Sequence, residues 1–224
     1  MPAATETTPL TQPRTAVAHW LGTIRYQEAW QLQREVFDAV LKGERPNTIL
    51  FCEHPDVLTI GKNARDDRNL LAPRHELRQR GYEVFDVDRG GDVTYHGPGQ
   101  LVGYPIVRLG DFREDLGWYM RGLEEVIIKA IGDFGIAGGR IEKLTGVWCG
   151  DRKICAIGVR ASRWTTMHGF ALNVSTNLER FGAIVPCGIA DHPVTSMLAE
   201  TGQAHTLLEV ANRFSAHWDG VMAA

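Results

Sequence analysis

The sequence lacks the features that mark nucleic-acid-binding, disulfide-bonded and membrane proteins. It has 24 Lys and Arg against 27 Asp and Glu, a net charge of −3, so the basic excess of a nucleic-acid binder is absent. None of the four cysteines forms a CxxC pair, which disfavours a disulfide framework and a zinc site. No apolar run approaches the roughly 20 residues of a membrane span. The first 13 residues lack the basic and apolar regions of a signal peptide. We therefore expect a cytoplasmic protein that carries no metal and binds neither nucleic acid nor membrane.

The length and composition predict one globular domain. The chain has 224 residues, of which 44% are hydrophobic and 23% charged. Residues 1–13 are rich in Thr, Pro and Ala, and we expect a flexible tail there. Residues 14–224 contain no repeat and no linker, which predicts a single domain, and at this size we expect a monomer.

Hydrophobic periodicity predicts an α+β fold with a mixed, largely antiparallel sheet flanked by helices. Apolar stripes predict helices over 26–42 and 114–134, a short helix that Gly81 closes is predicted over 74–80, and a capping box at Thr206 predicts a last one. Extended segments are predicted at 48–52, 57–60, 82–87, 101–107, 146–149, 153–159 and 170–174. Strands and helices do not alternate regularly, which disfavours a doubly wound sheet.

The segment Arg89–Gln100 concentrates glycines and polar side chains. Its glycines allow the backbone to approach a ligand closely, and Arg89, Thr94, His96 and Gln100 can form hydrogen bonds to it. The alternative is a tight surface turn with polar decoration. The segment matches neither the dinucleotide-binding glycine motif nor a phosphate-binding loop, so a phosphate cradle is not predicted.

Cys187 lies between Pro186 and Gly188, a context in which a thiol is accessible, whereas the other cysteines lie in apolar strands. A nucleophilic thiol needs a neighbour that lowers its pKa. His54, His96, His168 and His192 are candidates for that neighbour, and so is Lys153, one of only five lysines. Each of these residues has a purely structural alternative.

Five ordered motifs resemble those of the lipoyl(octanoyl) transferases, from about residue 17 to the C-terminus. They are Glu53-His-Pro-Asp-Val-Leu-Thr-Ile-Gly61, Arg89 to Gln100, Arg152-Lys-Ile-Cys-Ala-Ile-Gly-Val-Arg160, His168-Gly-Phe-Ala-Leu-Asn173 and Val185-Pro-Cys-Gly-Ile189. The resemblance implies the fold of the biotin and lipoate ligase catalytic domain. It also implies octanoyl or lipoyl transfer from acyl carrier protein to the target lysine of lipoyl domains, without a cofactor.

The same resemblance implies roles for individual residues. Cys187 would form an acyl-thioester intermediate with Lys153 as its base. The acyl substrate would be bound by Arg89, Gly90, Gly91, Asp92, Val93, Thr94, Tyr95, His96, Ala156, Ile157, Gly158, Gly169, Phe170 and Ala171. The small residues among these would leave room for the acyl chain.

The implied partners are acyl carrier protein, the lipoyl domains of 2-oxoacid dehydrogenase complexes and the glycine cleavage carrier protein. Because the protein substrates of this family are acidic, an arginine cluster could dock one of them: either Arg74, Arg78 and Arg80, or Arg160 and Arg163. Three alternatives remain at this point: an ATP-dependent lipoate or biotin ligase, a cysteine thioesterase with a His base, and a non-enzymatic acyl-binding module.

Overall fold

The computed structural model describes residues 10, 12, 14–64, 67–185 and 192–223. The strands are β1 (Val17–Thr23), β2 (Thr48–Glu53), β3 (Val57–Ile60), β4 (Glu83–Asp86), β5 (Val93–His96), β6 (Gln100–Ile106), β7 (Gly139–Ile141), β8 (Leu144–Cys149), β9 (Arg152–Ser162) and β10 (Thr165–Asn173). The α-helices are α1 (Tyr26–Leu41), α2 (Arg74–Gln79), α3 (Leu116–Gly132), α4 (Met197–Thr201) and α5 (Leu207–Met222). None of the helices in these ranges combines the length and apolarity that crossing a bilayer requires.

The strands form two sheets of mixed direction. The large sheet has the order β1-β2-β6-β10-β9-β8-β7, and within it β1 and β2 run parallel while the other pairs are antiparallel. The small sheet has the order β4-β3-β5, with β3 and β4 parallel. The predicted α+β class with a largely antiparallel sheet is therefore confirmed.

Helices cover both faces of the large sheet. Successive strand residues point to opposite faces, so a strand buried on both sides is apolar throughout. In β2, Ile49 and Phe51 pack in the core that also contains residues of α3 and α5, whereas Leu50 and Cys52 pack in the core that contains residues of α1. The stripe predicted over 114–134 thus becomes α3, and the capping box at Thr206 opens α5 as predicted.

Two features differ from the sequence-based expectation. Strand β5 lies inside the glycine-rich segment, for which the glycines predict a loop or a bulged strand, and it pairs regularly with β3. The hairpin between β9 and β10 turns at Arg163 and Trp164, whose φ angles are 50° and 57°. Such φ angles usually select Gly or Asn, and neither residue is present to signal the turn.

The last helix is bound to the segment that precedes the first strand. The Asp219 carboxylate accepts hydrogen bonds from the Thr15 amide at 3.1 Å and the Thr15 hydroxyl at 2.6 Å. The indole of Trp218, which is fully buried, donates to the Thr15 hydroxyl oxygen at 3.0 Å. These contacts join parts of the chain that are more than 200 residues apart.

The backbones of β10 and β6 approach each other closely at Gly169. A Cβ built on Gly169 would lie 2.1 Å from the Gly103 carbonyl oxygen and 2.7 Å from Pro105 Cδ. Only glycine fits there, because the first of these atoms belongs to the backbone of the neighbouring strand.

We expect Gly169→Ala to reduce the free energy of unfolding by about 1–3 kcal/mol, the usual cost of forcing extra volume into a packed core. The matched control is Gly132→Ala at the end of α3, where a built Cβ has nothing within 4 Å. That change should leave stability unchanged or raise it by up to about 1 kcal/mol. Urea denaturation of both variants measures the difference, and a Gly169→Ala protein as stable as the parent chain would contradict the close approach.

Candidate active site

A cavity opens to solvent where the large sheet faces the segment between β4 and β5. Eleven of the predicted substrate-binding residues line it: Arg89, Gly91, Asp92, Thr94, His96, Ala156, Ile157, Gly158, Gly169, Phe170 and Ala171. Three separate segments of the sequence, all named for the acyl site, therefore meet around one space.

Three predicted substrate-binding residues have other surroundings. The Gly90 amide donates to the Val159 carbonyl at 2.9 Å, which joins the glycine-rich segment to β9. Val93 is 1% exposed in the core of the small sheet. Tyr95 lies in the same core, and its hydroxyl donates to Asp56 at 2.6 Å. The part that these residues play in substrate binding stays a prediction.

The cavity also includes residues that the sequence did not suggest for the acyl site. They are Tyr26, Val102, Tyr104 and His168. Tyr26 is the first residue of α1 and lies on its inward face. Its alignment with the other apolar residues of α1 is the sequence signal that could have placed it near the site. Gly158 does more than leave room for a ligand. A Cβ at this position would lie 2.9 Å from the Gly90 carbonyl oxygen, so the close packing of the two segments also favours glycine there.

A smaller cavity of about 280 Å³ contains Lys153 in its wall and shares Thr94, Ala156 and Ala171 with the larger one. Lys153 is only 7% exposed, and its Nζ lies 4.7 Å from the centre of the Trp148 ring. The two cavities are therefore adjacent, with three wall residues in common, and Lys153 lines the smaller one.

Cys187 and Gly188 lie outside the described residues. The chain on either side is described. Phe181 and Val194 both line the smaller cavity with Lys153. The amide of Val185 donates to the Asn69 carbonyl at 2.8 Å.

The other three cysteines are buried free thiols, as predicted. Burial raises the pKa of Cys149 to about 11, and it raises the pKa values of Cys52 and Cys155 further. A thiol is nucleophilic as its thiolate, so these three are poor nucleophiles near neutral pH. In the part of the chain that the structure describes, no group of three or more His, Cys, Asp or Glu side chains could hold a metal ion.

A chain of hydrogen bonds begins at Arg89 on the wall of the larger cavity. Its guanidinium donates to the Thr59 carbonyl at 2.7 Å and to the Thr59 hydroxyl at 2.9 Å. The Thr59 hydroxyl lies 3.3 Å from His96 Nε2, and His96 Nδ1 lies 2.8 Å from Gln100 Oε1. Because the Gln100 oxygen can only accept, His96 Nδ1 carries the proton and its Nε2 accepts from Thr59.

The chain continues from Gln100 towards Lys153. Gln100 Nε2 donates to Asn173 Oδ1 at 2.9 Å, and Asn173 Nδ2 donates to the Thr195 carbonyl at 2.9 Å. The Thr195 amide in turn donates to the Lys153 carbonyl at 2.9 Å, and the Lys153 amide donates to the Pro193 carbonyl at 2.9 Å. We call this series from Arg89 to Thr195 the polar relay.

A second imidazole lies beside His96. His54 donates from Nδ1 to the Ile24 carbonyl at 2.7 Å and accepts at Nε2 from the Tyr104 hydroxyl at 2.7 Å. Burial lowers the pKa of His54 to about 4 and that of His96 to about 3. Both imidazoles are therefore neutral near neutral pH, in agreement with the tautomers that their hydrogen bonds require.

His168 lies at the other end of the cavity wall. Its Nε2 is 2.7 Å from Asp88 Oδ1, and the second oxygen of Asp88 pairs with Arg160 at 2.6 Å. Burial lowers the pKa of His168, while the hydrogen bond from His168 lowers the pKa of Asp88 to about 2. We assign a neutral imidazole that donates to an ionised carboxylate.

One arginine of each cluster considered for docking is paired within the fold. Arg74 pairs with Asp67 at 2.8 Å and with Asp86 at 2.6 Å, and Arg160 pairs with Asp88. The structure gives no preference for either cluster as a docking surface.

Proteins of one family match this chain over most of its length. A family model described as the lipoyl protein ligase A/B catalytic domain matches residues 25–219. An octanoyltransferase of Solibacter usitatus is 51% identical over 205 residues, which is 92% of each chain. An octanoyltransferase of Chloroflexus aurantiacus is 48% identical over 213 residues, which is 94% of this chain and 95% of that one.

A solved structure has the same fold. It is described as a bipartite lipoate protein ligase and its E2 lipoyl domain from Thermoplasma acidophilum, and it superposes with a TM-score of 0.72 at 15% identity. The match covers 94% of this chain and 84% of that one. At this identity the likeness concerns the fold alone, which agrees with the ligase-like fold expected from the sequence.

We expect the stability of the protein to fall as the pH falls below about 6.5. The folded-state pKa values of His54, His96 and His168 are lowered from the ordinary 6.5, so below that pH the unfolded chain binds protons that the fold does not. The stabilisation from these neutral imidazoles is complete above pH 6.5. As the pH falls from 6.5 to the folded-state pKa of an imidazole, that imidazole lowers the free energy of unfolding by up to about 1.4 kcal/mol per pH unit.

Chemical denaturation between pH 7.5 and 5 measures this slope. His54→Gln should reduce it by up to one proton, and His75→Gln, which removes an exposed imidazole of α2, is the matched control. An unchanged slope in the His54→Gln variant would show that this imidazole does not stay neutral in the fold.

Proposed function

The chain belongs to the lipoyl protein ligase A/B catalytic-domain family, and on that premise we propose that it transfers an octanoyl group through a thioester on Cys187, with Lys153 as the base. The chain is an acyltransferase that transfers octanoyl groups in lipoate biosynthesis. We propose acyl carrier protein as the octanoyl donor and the target lysine of a lipoyl domain as the acceptor.

The observation that carries this proposal is that the larger cavity shares three wall residues with the cavity that Lys153 lines. An acyl chain in the larger cavity could extend past Ala156 and Ala171 and bring its carbonyl carbon towards the Lys153 amine. Cys187 follows Phe181 by six positions and precedes Val194 by seven, and both of those residues line the cavity of Lys153. Short connections on both sides thus support a nucleophile near that amine.

In the first step, Lys153 takes the proton of the Cys187 thiol. The thiolate attacks the carbonyl carbon of the octanoyl thioester, and the bond to the phosphopantetheine sulfur of the carrier breaks. The protonated Lys153 returns its proton to the departing carrier sulfur, so the carrier leaves as a thiol and Lys153 is again neutral. The octanoyl group is then held as a new thioester on Cys187.

In the second step, the amine of the target lysine attacks the carbonyl of the acyl-Cys187. The carbon–sulfur bond breaks, an amide forms, and Lys153 accepts the proton that the attacking nitrogen loses. The Cys187 thiol is regenerated. Because the acyl group rests on the enzyme between the two substrates, the kinetics should be ping-pong.

The position of His168 does not favour the thioesterase alternative. In the register of β9 and β10, His168 pairs with Val159, six residues along β9 from Lys153. At 3.3 Å per residue this is about 20 Å. A base at His168 would act far from the chain segments that flank Cys187.

The acceptors we propose are the lipoyl domains of 2-oxoacid dehydrogenase complexes and the glycine cleavage carrier protein. A lipoyl domain is also named with the ligase of Thermoplasma acidophilum whose fold this chain resembles. We further propose that the enzyme works as a monomer in the cytoplasm, which fits its three buried free thiols.

Incubation with octanoyl carrier protein, without ATP, should add one octanoyl group to the enzyme, measured by intact mass. Cys187→Ala should abolish the adduct. The matched control Cys149→Ala should retain it, because that buried thiol has a raised pKa. An adduct that survives Cys187→Ala would overturn the nucleophile, and a strict requirement for ATP would favour a ligase.

Lys153→Arg should reduce the rate of adduct formation at pH 7 by about 100-fold or more, because a guanidinium keeps the charge but cannot accept a proton. Rapid-quench mass spectrometry measures this rate. Lys129→Arg, an exposed position on α3, is the matched control. Adduct formation by Lys153→Arg at the parent rate would contradict the assigned base.

A further inference from the structure

We propose that Asn173 is a positioning residue for Lys153, held in place by Gln100 and acting through the main chain of Pro193–Thr195. This inference rests on the proposed function, since it assumes that Lys153 accepts a proton during the reaction. Asn173 closes β10, and it lies in the wall of the smaller cavity with Lys153.

The contacts of Asn173 fix its amide in one orientation. Gln100 and Asn173 are directly opposite each other on β6 and β10. Because Gln100 gives its oxygen to the His96 proton, its nitrogen must donate to Asn173 Oδ1. The Asn173 nitrogen is then directed at the Thr195 carbonyl.

The Thr195 carbonyl belongs to a segment that is bonded to Lys153 itself. Val194 forms a parallel bridge with Lys153. The Lys153 amide donates to the Pro193 carbonyl, and the Thr195 amide donates to the Lys153 carbonyl. This segment therefore acts as a short extra strand beside the start of β9. Asn173 binds it from the side of the cavity.

The hydrogen bonds of this amide are buried. Asn173 and Thr195 are each 3% exposed, and Gln100 is 1% exposed. Loss of the Asn173 nitrogen would leave the Thr195 carbonyl without that donor in a buried place, and the segment would be held by fewer bonds. A displacement of about 1 Å at a catalytic group can reduce a rate about 100-fold. We therefore expect Asn173 to affect the reaction through the placement of Lys153.

A double-mutant cycle tests this dependence. Asn173→Ala, Lys153→Ala and the double variant are compared by kcat/KM for octanoyl transfer and by Tm. We expect Asn173→Ala to reduce kcat/KM ~10- to 100-fold. In the Lys153→Ala background the same change should cost less than about 2-fold, because the group that Asn173 positions is already absent.

Asn47→Ala is the matched control for a structural effect. Asn47 is 6% exposed and also binds backbone, since its amide oxygen accepts from the Arg108 amide at 2.8 Å. It lies outside both cavities. Its loss should lower Tm and leave kcat/KM of the folded enzyme unchanged. Equal rate losses from Asn173→Ala in both backgrounds would overturn the inference, whereas a fully active Lys153→Ala enzyme would instead overturn the proposed base.

Asn173→Asp provides a second readout if the alanine variant does not fold. An ionised carboxyl cannot donate to the Thr195 carbonyl, but a protonated one can, and its shape matches the amide. The kcat/KM ratio of Asn173→Asp to the parent enzyme should therefore rise as the pH falls. A ratio independent of pH would contradict a donor role for Asn173.

Discussion

The pairing of polar side chains buried between the sheets is the constraint on which the site depends. A buried amide without a partner costs about 1–3 kcal/mol, so each member of the polar relay needs a donor or acceptor at the right place. Gln100 and Asn173 can satisfy each other only in the observed register of β6 and β10. A slip by one residue would turn one of the two to the opposite face of the sheet. The register that assembles the core is therefore the one that assembles the site.

The two sheets make different contributions to the site. The large sheet supplies the small residues of β9 and β10 and the lysine at the start of β9, all held between two helical layers. The small sheet supplies β5 and the segment that begins at Arg89, which approaches β9 through the Gly90 amide. A cavity with one apolar wall and one hydrogen-bonded wall can hold an apolar chain and still fix the groups at its reactive end.

The sequence predicts the parts of this fold that local pattern determines. The stripes of α1 and α3 and the capping box of α5 each involve residues within a few turns, and all three helices form as expected. The strand at Val93–His96 could not be separated from its glycine-rich surroundings, because its pairing with β3 is tertiary. The turn at Arg163 is missing from the prediction because its residues carry no turn signal.

The candidate site shows the same division. Motifs and resemblance name Arg89, Lys153 and Ala171, which the structure brings to the walls of two adjacent cavities. They give no sign that Asn173 binds the Thr195 carbonyl, because that bond depends on where two distant segments cross. The sequence contains the residue types of the polar relay. The direction of each hydrogen bond in it depends on where the donors and acceptors lie in three dimensions.

The attachment of Thr15 to Trp218 and Asp219 has a consequence for the order in which the protein matures. During synthesis the segment before β1 leaves the ribosome first, yet its partners on α5 are made about 200 residues later. Until then β1 lacks the helix that supports its start, and one face of the large sheet lacks part of its cover. Completion of this fold therefore waits for the synthesis of α5, and nascent intermediates without it expose apolar surface that a chaperone can recognise.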